Sequence, residues 1–545
     1  MKQQKIFSSR YCAGLLIVIS LILSACGGES RSEIAGQSNS TTTTAPVHYV
    51  NSNASAANAM AKEVYDQMPS GERTAGERYA EINENPFFET ARAPLSTFSI
   101  DVDTAAYSNV RRFLNDGQMP PKDAVRIEEM VNYFEYTYPQ PAGNVPFSVN
   151  TEMAVAPWNP RNRLMKVGLQ GKKVSLDNTS SANLVFLVDV SGSMNSPDKL
   201  PLLKDGLRMM VNQLKPNDRV AIAVYAGSSG LVLASTPVSQ KGEIIAALDQ
   251  LQAGGSTNGG EGIQLAYTVA TQNFISGGNN RVILATDGDF NVGTTSDTDL
   301  VNLIEAKRKS GIFLSVLGFG TGNLNDSMME KLSNKGNGNY AYIDSRDEAR
   351  RALGEQVAGT LYTIAKDVKI QVEFNPAKVA GYRLIGYENR ILADRDFNDD
   401  TKDAGEIGAG HSVTALYEIV PAGQKVDNGG IELKYSKYES SGTNFGGEMA
   451  TVKLRYKEPD GDNSKLMSIG VLDNAAAIDA ASEDLRFAAA VAQFGLVLRD
   501  SRYKGDSNFA SIRSLAAGAL GGDARERRAE FLDLINRAAT LKGRG

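Results

Sequence analysis

Short apolar runs alternate with amphipathic segments through the middle of the chain. Leu184–Val188 is an unbroken run of five apolar residues, and Val220–Tyr225 and Val282–Thr286 are similar. Runs of this kind are typical of strands that are buried on both faces of a sheet. Between them, segments such as Leu200–Leu214 carry apolar residues at helical spacing. Alternation of strands and helices at this spacing predicts an α/β domain over residues 182–361, with a doubly wound, mainly parallel sheet.

Strands of a different kind flank this domain on both sides. Residues 147–174 contain two strands and residues 366–457 contain five more, all with alternating apolar and polar positions. The five are expected at Val368–Phe374, Arg383–Glu388, Ser412–Ile419, Ile431–Lys437 and Ala450–Tyr456. Because strands that precede the α/β domain need partners, we predict one antiparallel β-sandwich built from both flanks, with the α/β domain inserted into it.

Both ends of the folded part are predicted to contain helices. The amino-terminal region, residues 61–141, carries a helix near Ala105–Asn115 and a second near Asp123–Phe134. Residues 481–541 carry three helices and form a helical carboxy-terminal domain.

Two charged clusters in these end regions are interpreted as solvated faces. Asp101 and Asp103 alternate along a strand and should point to one side. Arg525, Arg527 and Arg528 are interleaved with glutamates, which is typical of an exposed helix face.

The loop that follows Leu184–Val188 carries the clearest candidate chemistry. The run ends in Asp189, and Ser191 and Ser193 follow at every second position. In open α/β sheets, ligands bind at the carboxyl ends of the strands. A carboxylate and two hydroxyls are hard oxygen donors, and no His or Cys is near. These residues therefore favour Mg²⁺ or Mn²⁺ over zinc or copper.

Two later loops offer further oxygens, since one loop cannot complete an octahedral shell. Thr257 lies in the glycine-rich stretch 254–260, and Asp287 follows the strand Val282–Thr286. One such motif alone would favour a helix cap or a turn, but three in this order resemble the von Willebrand factor type A (VWA) domain. The resemblance implies a metal-ion-dependent adhesion site whose ligands, some acting through water, are Asp189, Ser191, Ser193, Thr257 and Asp287.

The resemblance also implies a function. In such a site one coordination position stays open for an acidic residue of a protein partner, so we expect a metal-dependent binding module. Two alternatives remain. A metal-assisted hydrolase of the cell envelope, or an enzyme accessory subunit, would need a base such as Asp289 or Glu261 beside the metal. In a structural protein, the ion would only stabilise the fold.

Two other loops carry weaker motifs. The polar loop 388–410 has the composition of a calcium site, but Asp399 stands where an EF-hand needs Gly and Gly405 where it needs Glu. It stays a secondary candidate for calcium. The stretch Gly318–Gly322 has two glycine steps without a nucleotide-binding spacing and is interpreted as a plain turn.

The first residues resemble a bacterial lipoprotein signal. Lys2, Lys5 and Arg10 form a basic start, an apolar run to Leu23 follows, and Leu-Ser-Ala-Cys ends at Cys26. The apolar run is shorter than the ~20 residues that cross a bilayer. The resemblance implies that residues 1–25 are removed and that Cys26 is acylated, so that the lipid bilayer becomes a partner of the chain.

The residues after Cys26 extend this interpretation. Residues 26–60 are rich in Ser, Thr, Asn and Ala and are predicted to be a flexible tether. Gly27 rather than Asp follows the cysteine, and resemblance to Gram-negative lipoproteins then implies the outer membrane, with the protein facing the periplasm. From this signal to the helical tail, the chain resembles bacterial VWA lipoproteins that have an amino-terminal VWA-associated region and an uncharacterised carboxy-terminal domain.

Composition narrows the possible functions. The formal net charge is −6, and no basic stripe is present, so a nucleic-acid partner is not expected. The two cysteines are Cys12, inside the signal, and Cys26, so no disulfide is predicted. The only histidines are His48 and His411, neither in a catalytic motif. We therefore predict that the protein is not an enzyme.

Overall fold

The computed structural model describes residues 76–175, 179–255, 259–288, 297–427, 447–459 and 461–543. Several predicted features lie outside these residues, namely the signal, Cys26, the tether, Thr257, Asp289 and the strand Ile431–Lys437. Among the described residues, no helix is both long enough and apolar enough to cross a membrane.

The described residues form sixteen strands, numbered in chain order. They are β1 (Phe88–Glu89), β2 (Leu95–Ser99), β3 (Phe147–Val155), β4 (Arg163–Gly171), β5 (Ala182–Asp189), β6 (Arg219–Tyr225), β7 (Ser229–Pro237), β8 (Asn279–Thr286), β9 (Ile312–Phe319), β10 (Tyr340–Ile343), β11 (Thr363–Phe374), β12 (Val379–Ile385), β13 (Gly405–Gly408), β14 (Ser412–Pro421), β15 (Glu448–Lys457) and β16 (Ser464–Leu472).

Twelve α-helices lie in the same described ranges. They are α1 (Ala105–Asn115), α2 (Ile127–Asn132), α3 (Leu200–Gln213), α4 (Lys241–Gln250), α5 (Gly259–Gln272), α6 (Asp297–Lys309), α7 (Asp326–Lys335), α8 (Arg346–Arg350), α9 (Val357–Leu361), α10 (Glu483–Leu498), α11 (Phe509–Ala517) and α12 (Arg527–Lys542).

The central sheet has six strands in the order β10-β9-β8-β5-β6-β7. All neighbours are parallel except β6 and β7, which are antiparallel. Alternate residues of β5 enter two cores, with Phe186 and Val188 on one face and Val185 and Leu187 on the other. Each of these side chains contributes about 1.5–3 kcal/mol by its burial. The predicted doubly wound, mainly parallel sheet is confirmed. β5 lies between β8 and β6 in its interior, with both faces buried.

Two further sheets form the sandwich. One has the order β1-β12-β14-β4-β3, and the other has the order β13-β11-β15-β16, with β2 paired to β11. Met165 and Val167 of β4, Ile370 and Val372 of β11, and Tyr417 of β14 belong to one shared core. The prediction that strands from both flanks build one antiparallel sandwich around an inserted α/β domain is confirmed. The sequence analysis did not predict β16, although Met467, Ile469 and Val471 alternate with serine and glycine along it.

The helices of the amino-terminal region and those of the carboxy-terminal region share one hydrophobic core. Phe134, just after α2, packs edge-on against Phe487 of α10 with ring centroids 4.8 Å apart, and Phe487 lies 5.6 Å from Phe531 of α12. The predicted helical carboxy-terminal region is therefore present, and it packs on the amino-terminal helices rather than standing alone.

The expectation of a solvated face at Asp101 and Asp103 is wrong. Asp103 is only 2% exposed and accepts a hydrogen bond from the backbone of Tyr340 at 2.7 Å. Arg390 reaches Asp101 at 2.9 Å from a loop that is distant in the sequence. Arg390 also lies 3.5 Å from Asp103 and offsets part of the cost of burial, which raises the pKa of both carboxyl groups. Local alternation carries no sign of such a partner.

The predicted solvated arginine face of the tail is also wrong for Arg528. This side chain is buried against Phe487 and pairs with Asp484 at 2.9 Å. Arg525 and Arg527 instead pair with Glu355, which follows α8. Charges that are interleaved along one helix still find partners on other helices, which the sequence pattern does not show.

The polar loop 388–410 lends no support to calcium. The ammonium of Lys369 donates hydrogen bonds to the backbone oxygens of Asp396 at 3.1 Å and Asp399 at 2.5 Å, and Arg455 pairs with Asp400. Cationic side chains of the sandwich thus occupy this loop's acceptors. Within the described ranges, no group of three or more His, Cys, Asp or Glu side chains is arranged to hold a metal.

A buried carboxyl at the junction of α2 and α7 makes stability depend on pH. Burial raises the pKa of Glu129 from 4.5 to about 8; Arg126 opposes the shift, and Glu330, Asp326 and Glu128 add to it. Between these pH values the folded state holds a proton that the unfolded chain releases. The free energy of unfolding should therefore fall by about 1.4 kcal/mol per pH unit from this group as the pH rises.

Urea denaturation of wild type and Glu129→Gln at several pH values between 5 and 8 tests this. The variant should show a shallower loss of stability with rising pH. Glu243→Gln, at an exposed position of α4, serves as the control and should follow wild type. Parallel curves for Glu129→Gln and wild type would contradict the prediction.

Candidate metal centre

Two carboxylates lie side by side at the carboxyl ends of β5 and β8. These strands are parallel neighbours, with Val188 opposite Ala285. Asp189 is the last residue of β5, Asp287 directly follows β8, and both are 0% exposed. Register and strand direction therefore bring together two acids that are 98 positions apart in the sequence.

Asp189 is held by hydrogen bonds from three elements. Its Oδ1 accepts from the backbone N–H of Ser191 at 2.9 Å, and its Oδ2 accepts from the hydroxyls of Tyr225 at 3.2 Å and Thr286 at 3.3 Å. Burial raises the pKa of Asp189, the hydrogen bonds from Ser191 lower it, and the carboxylate of Asp287 raises it again. A cation at this position would favour the ionised carboxylate.

The two serines of the loop present their hydroxyls as a pair. Ser191 Oγ and Ser193 Oγ are hydrogen-bonded to each other at 3.0 Å. In an octahedral Mg²⁺ shell with bonds of about 2.1 Å, adjacent ligand oxygens are about 3.0 Å apart. Ser191 is buried and Ser193 is exposed, so the pair stands at the surface. Their spacing fits two neighbouring ligands of one hard cation.

The glycine-rich loop contacts the serine loop through its backbone. The N–H of Gly254 donates to Val190 O at 2.7 Å, and the N–H of Gly192 donates to Gly255 O at 3.1 Å. Gly255 has φ +87°, which favours glycine. Thr257 follows two residues later, outside the described residues, so its predicted role as a ligand stays a prediction.

Asp287 has two partners that the sequence did not suggest. The Lys199 ammonium donates to Oδ2 at 2.8 Å, and the amide of Asn323 donates to Oδ1 at 3.4 Å. Lys199 directly precedes α3, and Asn323 lies in the loop after β9. No spacing in the sequence marks these two residues, because their contact with Asp287 arises only when separate loops meet at the sheet edge.

The structure thus groups four of the predicted ligands and the start of the loop that leads to the fifth. Asp189, Ser191, Ser193 and Asp287 supply only oxygen donors, which fits a hard divalent cation. The two predicted candidates for a catalytic base differ in what the structure describes. Glu261 is exposed in the first turn of α5, and Asp289 lies beyond the described residues.

His411, which the sequence left without a role, lies just before β14 of the sandwich. Burial lowers the pKa of its imidazole to about 4, and the nearby Arg351 lowers it as well. The histidine is therefore neutral at physiological pH and belongs to a different sheet from the metal centre.

Family comparisons match three successive parts of the chain. Residues 183–356 match the von Willebrand factor type A domain, and residues 73–166 match a family described as von Willebrand factor. Residues 359–541 match the family described as uncharacterized protein YfbK, C-terminal. The fold and these matches define the class: this is a VWA-domain protein.

The chain is 45% identical over 469 residues to the uncharacterized protein YfbK of Escherichia coli K12, covering 85% of this chain and 81% of the relative. The chain belongs to the YfbK family. It is also 28% identical over 177 residues to inter-alpha-trypsin inhibitor heavy chain 4 of Mus musculus, covering 31% of this chain and 19% of that protein.

Among solved structures, a von Willebrand factor type A protein from Catenulispora acidiphila is similar, with 16% identity and a TM-score of 0.40, over 73% of this chain and 88% of that one.

A VWA domain implies a function in protein interaction or adhesion. Neither the matched families nor the relatives named here indicate an enzymatic activity.

The hydroxyl of Tyr225 should stabilise the protein through Asp189. Tyr225→Phe removes a donor to a buried carboxylate, so the free energy of unfolding should fall by about 1.5–3 kcal/mol. Tyr267→Phe is a matched control, because Tyr267 is buried in the same core and its hydroxyl has no hydrogen-bond partner among the described residues. Urea denaturation of both variants measures the difference, and equal losses would contradict the role of Tyr225.

Proposed function

We propose that this protein is a lipid-anchored binding protein of the cell envelope whose VWA domain captures an acidic residue of a protein partner through Mg²⁺ or Mn²⁺. The observation that carries the proposal is the pair of serine hydroxyls, 3.0 Å apart, beside the buried Asp189 carboxylate. The site has the donor chemistry of a hard cation and lies at the ligand-binding edge of an α/β sheet.

The proposed ligands fall into two groups by how they would contact the ion. Ser191 and Ser193 would bind the ion directly, and Asp189, Asp287 and Thr257 would complete its shell directly or through water. Because Tyr225, Thr286 and the Ser191 backbone already hold Asp189, that carboxylate is oriented before any ion arrives. A bound divalent cation would supply an open coordination position for a carboxylate oxygen of the partner.

Access favours binding of a large partner. Gly192 and Ser193 are both exposed, so the serine loop faces solvent rather than a closed pocket. An oxygen on a protein surface can reach such a position without entering a cavity. This arrangement supports a binding module, whereas a hydrolase would need a base beside the metal.

Anchoring would come from the lipid on Cys26. The basic start, the apolar run and the Leu-Ser-Ala-Cys motif support acylation, and Gly27 supports an outer-membrane protein that faces the periplasm. The Ser/Thr-rich residues 26–60 would let the binding domain reach partners at a distance from the membrane surface.

Metal binding is tested first, with the full mature chain in detergent. Mn²⁺ binding, followed by electron paramagnetic resonance, should be present in wild type and lost in Asp189→Ala. Asp198→Ala is the matched control, because Asp198 is an exposed aspartate that follows the same loop, and it should bind Mn²⁺ as wild type does. Equal binding in wild type and Asp189→Ala would contradict the proposed site.

Partner binding is tested with the same variants. Immobilised wild type and Asp198→Ala should retain a specific envelope protein in Mg²⁺ and release it in EDTA, whereas Asp189→Ala should not retain it. Substitution of one acidic residue of the retained protein should abolish the interaction. If the partner is still retained in EDTA and by Asp189→Ala, the site is not an adhesion site. If Asp189→Ala has also lost Mn²⁺ binding, that result would favour a structural ion.

A further inference from the structure

We propose that Lys199 is a built-in counter-cation of this metal centre, which weakens binding of the divalent ion and strengthens capture of an acidic group. The inference rests on the proposed metal site and goes beyond it, because Lys199 is not among the predicted ligands. Its ammonium would balance Asp287 when no ion is bound. With an ion bound, it would leave the site with a net positive charge.

The contact between Lys199 and Asp287 is short and buried. Lys199 Nζ lies 2.8 Å from Asp287 Oδ2, and Lys199 is 8% exposed although lysine is usually a surface residue. Asp287 is fully buried. Because a buried charge is costly without a partner, the ammonium and the carboxylate each offset the cost of burying the other.

The loop after β9 is shaped to receive the lysine side chain. Gly320 has φ +68°, and a Cβ at this position would lie 2.7 Å from Cγ and 2.8 Å from Cδ of Lys199, and it would also collide with Cε. The hydroxyl of Tyr342 donates to Gly320 O at 2.6 Å and fixes the loop. Glycine thus creates a slot for the aliphatic stem, and what the sequence presents as a plain turn is the wall of this slot.

The same loop also holds the carboxylate that the lysine meets. Asn323 donates to the other oxygen of Asp287 at 3.4 Å. Gly288, next to Asp287, has φ +101°, and a Cβ on it would approach the Leu324 Cα to 2.6 Å. The loop after β9 therefore packs against both the lysine stem and the strand end, which makes the lysine–aspartate contact part of the architecture of the site.

Charge balance gives the contact its functional meaning. Among the described residues, the carboxylates of Asp189 and Asp287 would balance one divalent ion, and the ammonium of Lys199 adds a positive charge to that pair. It repels the metal ion in a medium of low dielectric constant and attracts an anion at the open position. A site with this charge should prefer a carboxylate to a neutral oxygen ligand.

Two substitutions separate the charge of Lys199 from its packing. Lys199→Met keeps an aliphatic stem in the Gly320 slot. Lys199→Gln also removes the charge but keeps a polar N–H donor, one atom shorter than the lysine, and is the second variant if Lys199→Met folds poorly. Lys204→Met is the matched control, because Lys204 lies on α3 and its ammonium donates to the backbone oxygens of Asp249 and Leu251.

Mn²⁺ binding to the full mature chain in detergent, followed by electron paramagnetic resonance at fixed ionic strength, tests the proposal. Both Lys199 variants should bind Mn²⁺ at least about tenfold more tightly than wild type, and Lys204→Met should match wild type. In EDTA, the thermal midpoint of Lys199→Met should be lower than that of wild type. Unchanged or weaker Mn²⁺ binding by folded Lys199→Gln would overturn the proposal.

Acetate tests the second half of the inference. When acetate is titrated into the Mn²⁺-loaded proteins, it should bind more weakly to both Lys199 variants than to wild type. An unchanged acetate affinity would overturn the proposed preference for anions. The failure of the metal site itself would look different. Wild type would then bind no Mn²⁺, or would bind it as Asp189→Ala does, and the inference would fall with the site.

Discussion

The site depends on one electrostatic constraint: Asp189 and Asp287 are buried next to each other at the ends of neighbouring central strands. Two carboxylates cannot stay ionised in such a place without compensation. Hydroxyl and backbone donors hold Asp189, whereas the ammonium of Lys199 and the amide of Asn323 meet Asp287. The surrounding loops bring these donors to the same edge of the sheet.

The scaffold makes this arrangement rigid. β5 is buried on both faces, and its neighbours β6 and β8 supply Tyr225 and Thr286 to the Asp189 carboxylate. Each of these side chains stands at the end of a hydrogen-bonded strand, so its position is set by sheet register rather than by a loop alone. Functional sites in general benefit from such preorganisation.

Buried ion pairs also join the parts of the chain that surround the VWA domain. Arg126, just before α2, reaches Asp326 of α7, and Arg111 of α1 reaches Asp344 beside α8. The amino-terminal segment approaches the loop after β9 as well, where the Gly322 N–H donates to Glu77 at 3.3 Å. Buried pairs of this kind add little net stability, but each partner becomes costly to lose. The amino-terminal region is thus in contact with the loop that positions Lys199 and Asn323.

The pattern of residues along the chain is enough to predict the class of fold and the loops that carry the candidate ligands. Apolar runs that end in Asp189 and before Asp287 predict both the buried strands and the sheet edge, because periodicity reports which positions are buried. Periodicity does not report which distant residue a buried charge meets. Three-dimensional packing alone pairs Lys199 with Asp287 across 88 positions, leaves room for the lysine beside Gly320, and buries Asp103. These contacts form between separate loops, so no local pattern in the chain encodes them.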